Sequence, residues 1–190
     1  MLDPFVVIFD ACVLYPFHLR NIVVQIAVDR LVDARWTDEI HDEWIRNLAA
    51  AVPGIPIKRL QITRKLMNDA LPYATVTDYQ AHLEAITLPD PDDRHVVAAA
   101  ITAGASLILT WNLRDFPTKE LKKHGLVRQT PDVLLTDLYE KAPDLTVASL
   151  ANARRNLSKT QVSASDFIDI LINQKLSRLA TSLKKHLTDL

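Results

Sequence analysis

The sequence predicts an α/β fold, with a central parallel sheet flanked by helices and an all-helical C-terminal extension. Three stretches carry that expectation. Phe5 to Phe9 is an apolar, β-branched run that stops at Asp10 and reads as a first strand. Residues 88–117, LPDPDDRHVVAAAITAGASLILTWNLRDFP, read as an acidic turn, a small-residue helix, a buried strand and a second acidic turn. From Pro131 onward only helical spacing is visible.

Taken in order, residues 19–33 place Ile22, Val23, Ile26, Val28 and Leu31 on one stripe, which predicts an amphipathic helix. A second helix starts after Thr37, whose hydroxyl can cap it, with Asp38 and Glu39 at its positive end. Its spacing sets Glu43 beside the apolar seam of Ile40, Trp44 and Leu48, an unfavourable place for a lone charge. Pro53, Gly54 and Pro56 break the chain before a helix over 57–71 that ends at Pro72. A short strand over 73–76 and a short helix over 78–86 lead to the central stretch. There Asp92 and Asp93 open a helix that Gly104 closes, and residues 106–111 form a strand buried on both faces. A helix over 118–124 ends at Gly125, and Leu126 and Val127 form a last strand. Helices follow over 131–141 and 144–156. Two more follow Ser163, which forms a capping box with Asp166, and the last repeats Leu176, Leu179, Leu183 and Leu187.

Composition narrows the class. The chain has 190 residues, 48% of them hydrophobic and 24% charged, which suits a folded domain with a core and excludes a disordered polyelectrolyte. No apolar run reaches the ~18 residues of a membrane span, and the N-terminus lacks the pattern of a secretory signal, so a cytoplasmic protein is expected. A single cysteine, Cys12, excludes an internal disulfide framework and a cysteine zinc cage, and it is expected to be buried and inert. The net charge of -1 excludes a uniformly basic nucleic-acid binder. The charge is uneven, however: residues 143–190 carry seven Lys or Arg against four Asp, and the first 142 residues are net acidic.

The chemistry therefore falls to carboxylates. Asp10 follows the first strand, Glu43 lies on the second helix, Asp93 opens the central helix, and Asp115 follows the central strand. An open parallel sheet would gather them at the carboxyl ends of its strands. Clustered carboxylates repel one another unless a cation neutralises them, and hard oxygen donors favour Mg²⁺ or Mn²⁺. Such a site can polarise a phosphoryl oxygen and activate water, which points to phosphodiester hydrolysis.

At these residues the chain resembles the PIN domain. The carriers are Asp10-Ala11-Cys12-Val13-Leu14 after a strand, the helix with Glu43, Asp93 before Val96, Ala98 and Ala99, and Thr110, Asn112, Asp115 and Phe116. The nearest branch is the bacterial one that includes VapC-like toxins, with LPDPDDRHV as its signature. The resemblance covers residues 5 to about 137 and implies a three-layer fold. It divides the chain into a nuclease domain over 1–137 and a helical extension over 138–190. It implies an endoribonuclease that uses Mg²⁺ or Mn²⁺ to activate water against RNA, as the toxin of a type II toxin–antitoxin system. Asp10, Glu43, Asp93 and Asp115 would be both catalytic and metal-binding, supported by Thr110 and Asn112, with Asp90 and Asp92 as further acidic neighbours. A cognate antitoxin and a homodimer are implied partners.

Each residue also has a plainer reading. Asp10 and Asp115 could be turn residues, Asp92 or Asp93 a helix cap, and Glu43 a partner of Arg46. Arg20, Arg46, His95 and Arg114 are candidates for holding RNA phosphate, with surface solvation as the alternative. Trp36, Trp44 and Trp111 could stack on bases or belong to the core. The basic tail residues could steer RNA or simply face water. Two other functions fit the same chain: an RNA-processing nuclease without an antitoxin, and a non-catalytic RNA- or protein-binding module on the PIN fold. A haloacid-dehalogenase-type phosphatase is disfavoured, because its nucleophile motif needs an aspartate where Cys12 stands.

Overall fold

Strand β1 (Val6–Phe9) lies at the centre of the protein, buried on both sides, with Val7 and Ile8 fully enclosed. The computed structural model describes residues 4–190. Strands β2 (Asp33–Arg35) and β3 (Leu107–Leu109) flank β1, and β4 (Val127–Gln129) pairs with β3. All pairings are parallel, in the order β2-β1-β3-β4, with Val7 opposite both Ala34 and Leu107. The chain therefore leaves β1 toward β2 and later returns to its other side at β3. Between β1 and β3 the crossovers diverge, and a crevice opens outside the strands' carboxyl ends.

Helices α1 (Ala11–Leu14), α2 (Phe17–Val28), α3 (Asp38–Ala51) and α4 (Ile57–Ala70) precede the central stretch. Helix α5 (Arg94–Thr102) leads into β3, and α6 (Thr118–Lys123) into β4. The helical extension is α7 (Pro131–Lys141), α8 (Pro143–Arg155), α9 (Ala164–Asn173) and α10 (Ser177–Leu183). The boundary expected between 137 and 138 falls inside α7. The extension is sewn to α2 by polar side chains: Asn21 Nδ2 donates to the Ala153 carbonyl at 2.8 Å, and Asn156 Nδ2 to Gln25 Oε1 at 2.9 Å. Leu176, Leu179 and Leu183 are fully buried within it, whereas Leu187 is exposed. The capping box of Ser163 and Asp166 forms as expected.

Three elements differ from expectation. The helix expected over 19–33 starts at Phe17 and stops at Val28, where Asp29 caps it and Arg30 turns left-handed at φ 61°. Its last expected residues run into β2, a strand hidden in the sequence because it is three residues long and two of them are charged. The strand expected over 73–76 is a single bridge between Trp36 and Thr75, and the helix over 78–86 is a 3-10 turn, Gln80–Ala85.

Candidate active site

Asp10 leaves the carboxyl end of β1 and is almost wholly buried, so its carboxylate must be hydrogen-bonded. Its Oδ2 accepts from Thr110 Oγ1 at 2.6 Å and from Cys12 Sγ at 3.0 Å. Thr110 comes from the end of β3, so one hydrogen bond ties the two central strands at the crevice. Cys12 is half-buried, and burial followed by the charge of Asp10 raises its thiol well above the usual range. It therefore stays protonated and serves as a donor to Asp10. Trp111 N–H donates to the same sulfur at 3.2 Å.

Asp93 enters from the other wall. The turn before α5 is capped by Asp90, whose Oδ1 accepts from Asp92 N–H at 2.9 Å. Asp93 occupies the N-cap position of α5, yet its side chain caps nothing. That placement removes the plainer reading of Asp93 as a cap. Burial, and then the charges of Asp10, Asp115, Asp90 and Glu43, push its carboxyl up to about 7. Glu43 is raised by burial and by Asp10, with Arg46 acting in the opposite sense. The fold thus brings carboxylates from β1, α3, the turn before α5 and the loop after β3 into one electrostatic neighbourhood. A cleft of about 820 Å³ lies over Glu43, Asp90, Asp92 and Asp93.

Asp115 is half-buried on the turn after β3. That turn is held by Arg128, whose guanidinium donates to the carbonyls of Leu113 and Phe116. Sequence reasoning missed Arg128, since a lone arginine in a short edge strand carries no motif. Asn112 contributes its backbone N–H, which donates to Thr110 Oγ1 at 2.9 Å, while its side chain is exposed.

Glu39 is a second residue missed. It was read as a favourable charge at the start of α3, but it also lines the cleft, four residues and one helical turn before Glu43. His95 is buried between them, with Nδ1 3.9 Å from Glu39 and Nε2 3.8 Å from Glu43. Burial lowers its pKa against the pull of Glu39 and Asp10.

The arginines separate. Arg46 and Arg114 are exposed. Arg20 is buried, donates to the Leu14 carbonyl at 2.6 Å and lies over the Trp44 ring at 4.6 Å, so its charge is held inside the fold. Burial lowers its pKa to about 10. Trp36 and Trp44 are core residues, and Trp111 is half-buried beside the crevice.

Among the described residues, no three His, Cys, Asp or Glu side chains already form an enclosure for a metal ion. The donor set nevertheless fits one. The oxygens are hard, and the raised Asp93 carboxyl marks a neighbourhood short of positive charge.

An open parallel sheet with acidic groups at its switch point defines the class, and comparison with known proteins gives the family. The chain belongs to the PIN domain family, whose model matches residues 6–114. A second model, described as the VapC50 C-terminal domain, matches residues 131–185. A relative from Mycobacterium tuberculosis (strain ATCC 25618 / H37Rv), named "Putative ribonuclease VapC50", is 39% identical over 64 residues. That alignment covers 32% of this chain and 38% of the relative's length. No solved structure matches.

Proposed function

We infer that this chain is a divalent-metal-dependent endoribonuclease and the toxin of a type II toxin–antitoxin pair. One observation carries the reading: Asp93 is released from capping and crowded by Asp10, Asp115, Asp90 and Glu43 until its carboxyl rises to about 7. A fold with no use for that crowding would relieve it. The family match and the ribonuclease name of the relative support the same reading.

Asp10, Glu43, Asp93 and Asp115 would hold Mg²⁺ or Mn²⁺. The bound ion would supply Lewis-acid polarisation of a phosphoryl oxygen and a water activated for attack. The chain's own work is positional. Thr110 and Cys12 fix Asp10 by donating to one of its oxygens, and Arg128 fixes the turn bearing Asp115. Arg46 and Arg114 stand exposed to meet phosphates. We place the protein in the cytoplasm with RNA as substrate and a small antitoxin protein as partner, and homodimerisation belongs to the same reading. No helix among the described residues is long and apolar enough to cross a membrane. The site residues and the division into nuclease domain and helical extension are parts of this proposal.

The test is cleavage of a mixed RNA pool by the purified chain with Mg²⁺, with Mn²⁺ and with chelator. Discrete products are expected with either metal, none with chelator, and a loss of about 10³-fold or more in Asp10→Asn and Asp93→Asn. Cleavage that persists in chelator or in both variants would overturn the reading.

A further inference from the structure

The helical extension meets the nuclease domain just past the carboxyl end of β3. Lys175 lies in the turn between α9 and α10, and its Nζ sits 5.8 Å from the centre of the Trp111 ring. Trp111 follows Thr110 directly, and its backbone N–H donates to Cys12 Sγ, which itself donates to Asp10. The ammonium is thus anchored on a residue whose backbone is one side chain removed from the Asp10 carboxylate. Lys175 is exposed, and the ring holds it by attraction between a cation and an aromatic face.

The backbone at Lys175 closes α9 in the way that Arg30 closes α2. Its φ is +62°, a left-handed conformation that favours glycine or asparagine. The turn is fixed by bonds from Lys175 N–H to Ile172 O and from Leu176 N–H to Leu171 O, both at 2.9 Å. Leu171 and Leu176 are fully buried, so the turn cannot relax easily. The turn thus fixes the backbone from which the Lys175 side chain reaches the Trp111 ring.

The charge distribution gives a cation at this position a use. A cleft walled by carboxylates repels a phosphodiester chain, and the first 142 residues are net acidic, whereas residues 143–190 carry +3. A strand of RNA threading this site needs cations beside the scissile phosphate as well as at it. We propose that Lys175, positioned by Trp111, is a phosphate contact through which the helical extension completes the RNA path of the nuclease domain. Lysine suits that role as a point charge that follows a mobile phosphate. The inference rests on the ribonuclease reading and adds to it a residue from outside the PIN match.

The experiment uses the full chain, Mn²⁺ and a mixed-sequence single-stranded RNA. Cleavage kinetics, RNA affinity by fluorescence anisotropy across a salt series, and Tm are measured for wild type, Lys175→Ala, Lys175→Gly, Lys175→Arg and Trp111→Phe. Lys175→Ala is expected to raise KM about 5-fold with kcat little changed, since the lost contact binds ground and transition states alike. The slope of log affinity against log salt should shrink by about 0.7, the value for one phosphate on a single strand. Lys175→Gly should lose the same affinity while its Tm holds or rises, because glycine relieves the left-handed turn. Lys175→Arg and Trp111→Phe should retain most of the affinity. An unchanged slope and KM in Lys175→Ala would overturn the proposal, and so would a Lys175→Gly variant whose affinity falls only together with its Tm. Should wild type fail to cleave while Lys175→Ala still reduces affinity and slope, the phosphate contact stands and the hydrolytic reading alone falls.

Discussion

Helix α3 carries polar groups on two sides, and their circumstances are opposite: His41 is buried on one, while Glu39 is exposed and Glu43 half-buried on the other. On one side His41 Nδ1 accepts from Trp44 Nε1 at 2.9 Å, which leaves Nε2–H to donate to Asn68 Oδ1 at 3.2 Å. Trp36 Nε1 donates to the same Asn68 oxygen at 2.9 Å. Every group there has a partner, His41 is neutral, and burial drives its pKa down to about 4. On the other side Glu39 and Glu43 line a cleft shared with Asp90, Asp92 and Asp93, where carboxylates outnumber the arginines Arg46 and Arg94 and Tyr79 Oη donates to Glu39 Oε2 at 2.9 Å. The satisfied side fixes the helix, and the acidic excess on the other side is where the proposed cation would be held. A complete buried polar network rigidifies the fold, whereas crowded carboxylates with raised pKa values in a cleft are the arrangement of functional sites.

That contrast can be broken by substitution. Asn68→Leu leaves Trp36 Nε1 and His41 Nε2 without an acceptor and should destabilise the fold by about 2 kcal/mol. Denaturant melts would show the loss, while cleavage per folded molecule should stay within about 3-fold of wild type, an activity change of under 1 kcal/mol. A large drop in specific activity would mean that the two sides are not separable. Asp93→Asn acts in the reverse sense. Without metal at pH 8 it should stabilise the chain by about 1 kcal/mol, after discounting the raised pKa for the partial exposure of the carboxyl. A Tm gain of about 2–4 °C is expected, accompanied by loss of cleavage.

The pH profile sharpens the same contrast. The folded state holds the Asp93 proton to about pH 7, beyond the point at which the unfolded chain releases it near 4. This contribution to metal-free stability therefore falls as pH rises from about 4 to about 7. His41 acts oppositely: the unfolded chain takes up its proton near 6.5 and the folded chain only near 4, so stability falls as pH drops through that interval. Melts in chelator across pH 4–8 should show Asp93→Asn losing the high-pH decline and retaining the acid one. Parallel curves for wild type and Asp93→Asn would contradict the assignment of that decline to Asp93.

Much of this was legible in the sequence, for identifiable reasons. Strand β1, α5 and β3 are apolar runs punctuated by Asp10, Asp93 and Gly104, so both their type and their ends could be read. The order of four acidic motifs then indicated the crevice. Strand β2 was hidden because its pairing, not its composition, makes it a strand, and Ala34 is its sole buried residue. Arg20 was read as a candidate phosphate contact, with surface solvation as the alternative, because nothing local announces that Trp44 and the Leu14 carbonyl will enclose it. Arg128 and Lys175 depend on contacts across 12 or more and 64 residues respectively, which no local pattern encodes. Glu39 could have been found from its one-turn spacing to Glu43 on the same helix face.

The central claim is that these carboxylates await a divalent cation, and calorimetric titration of Mn²⁺ into the full chain at pH 8 tests it most directly. Saturable binding by wild type, abolished in Asp10→Asn and in Asp93→Asn while both variants remain folded, is the predicted result. Absence of binding by wild type, or equal binding by wild type and both variants, would contradict the account.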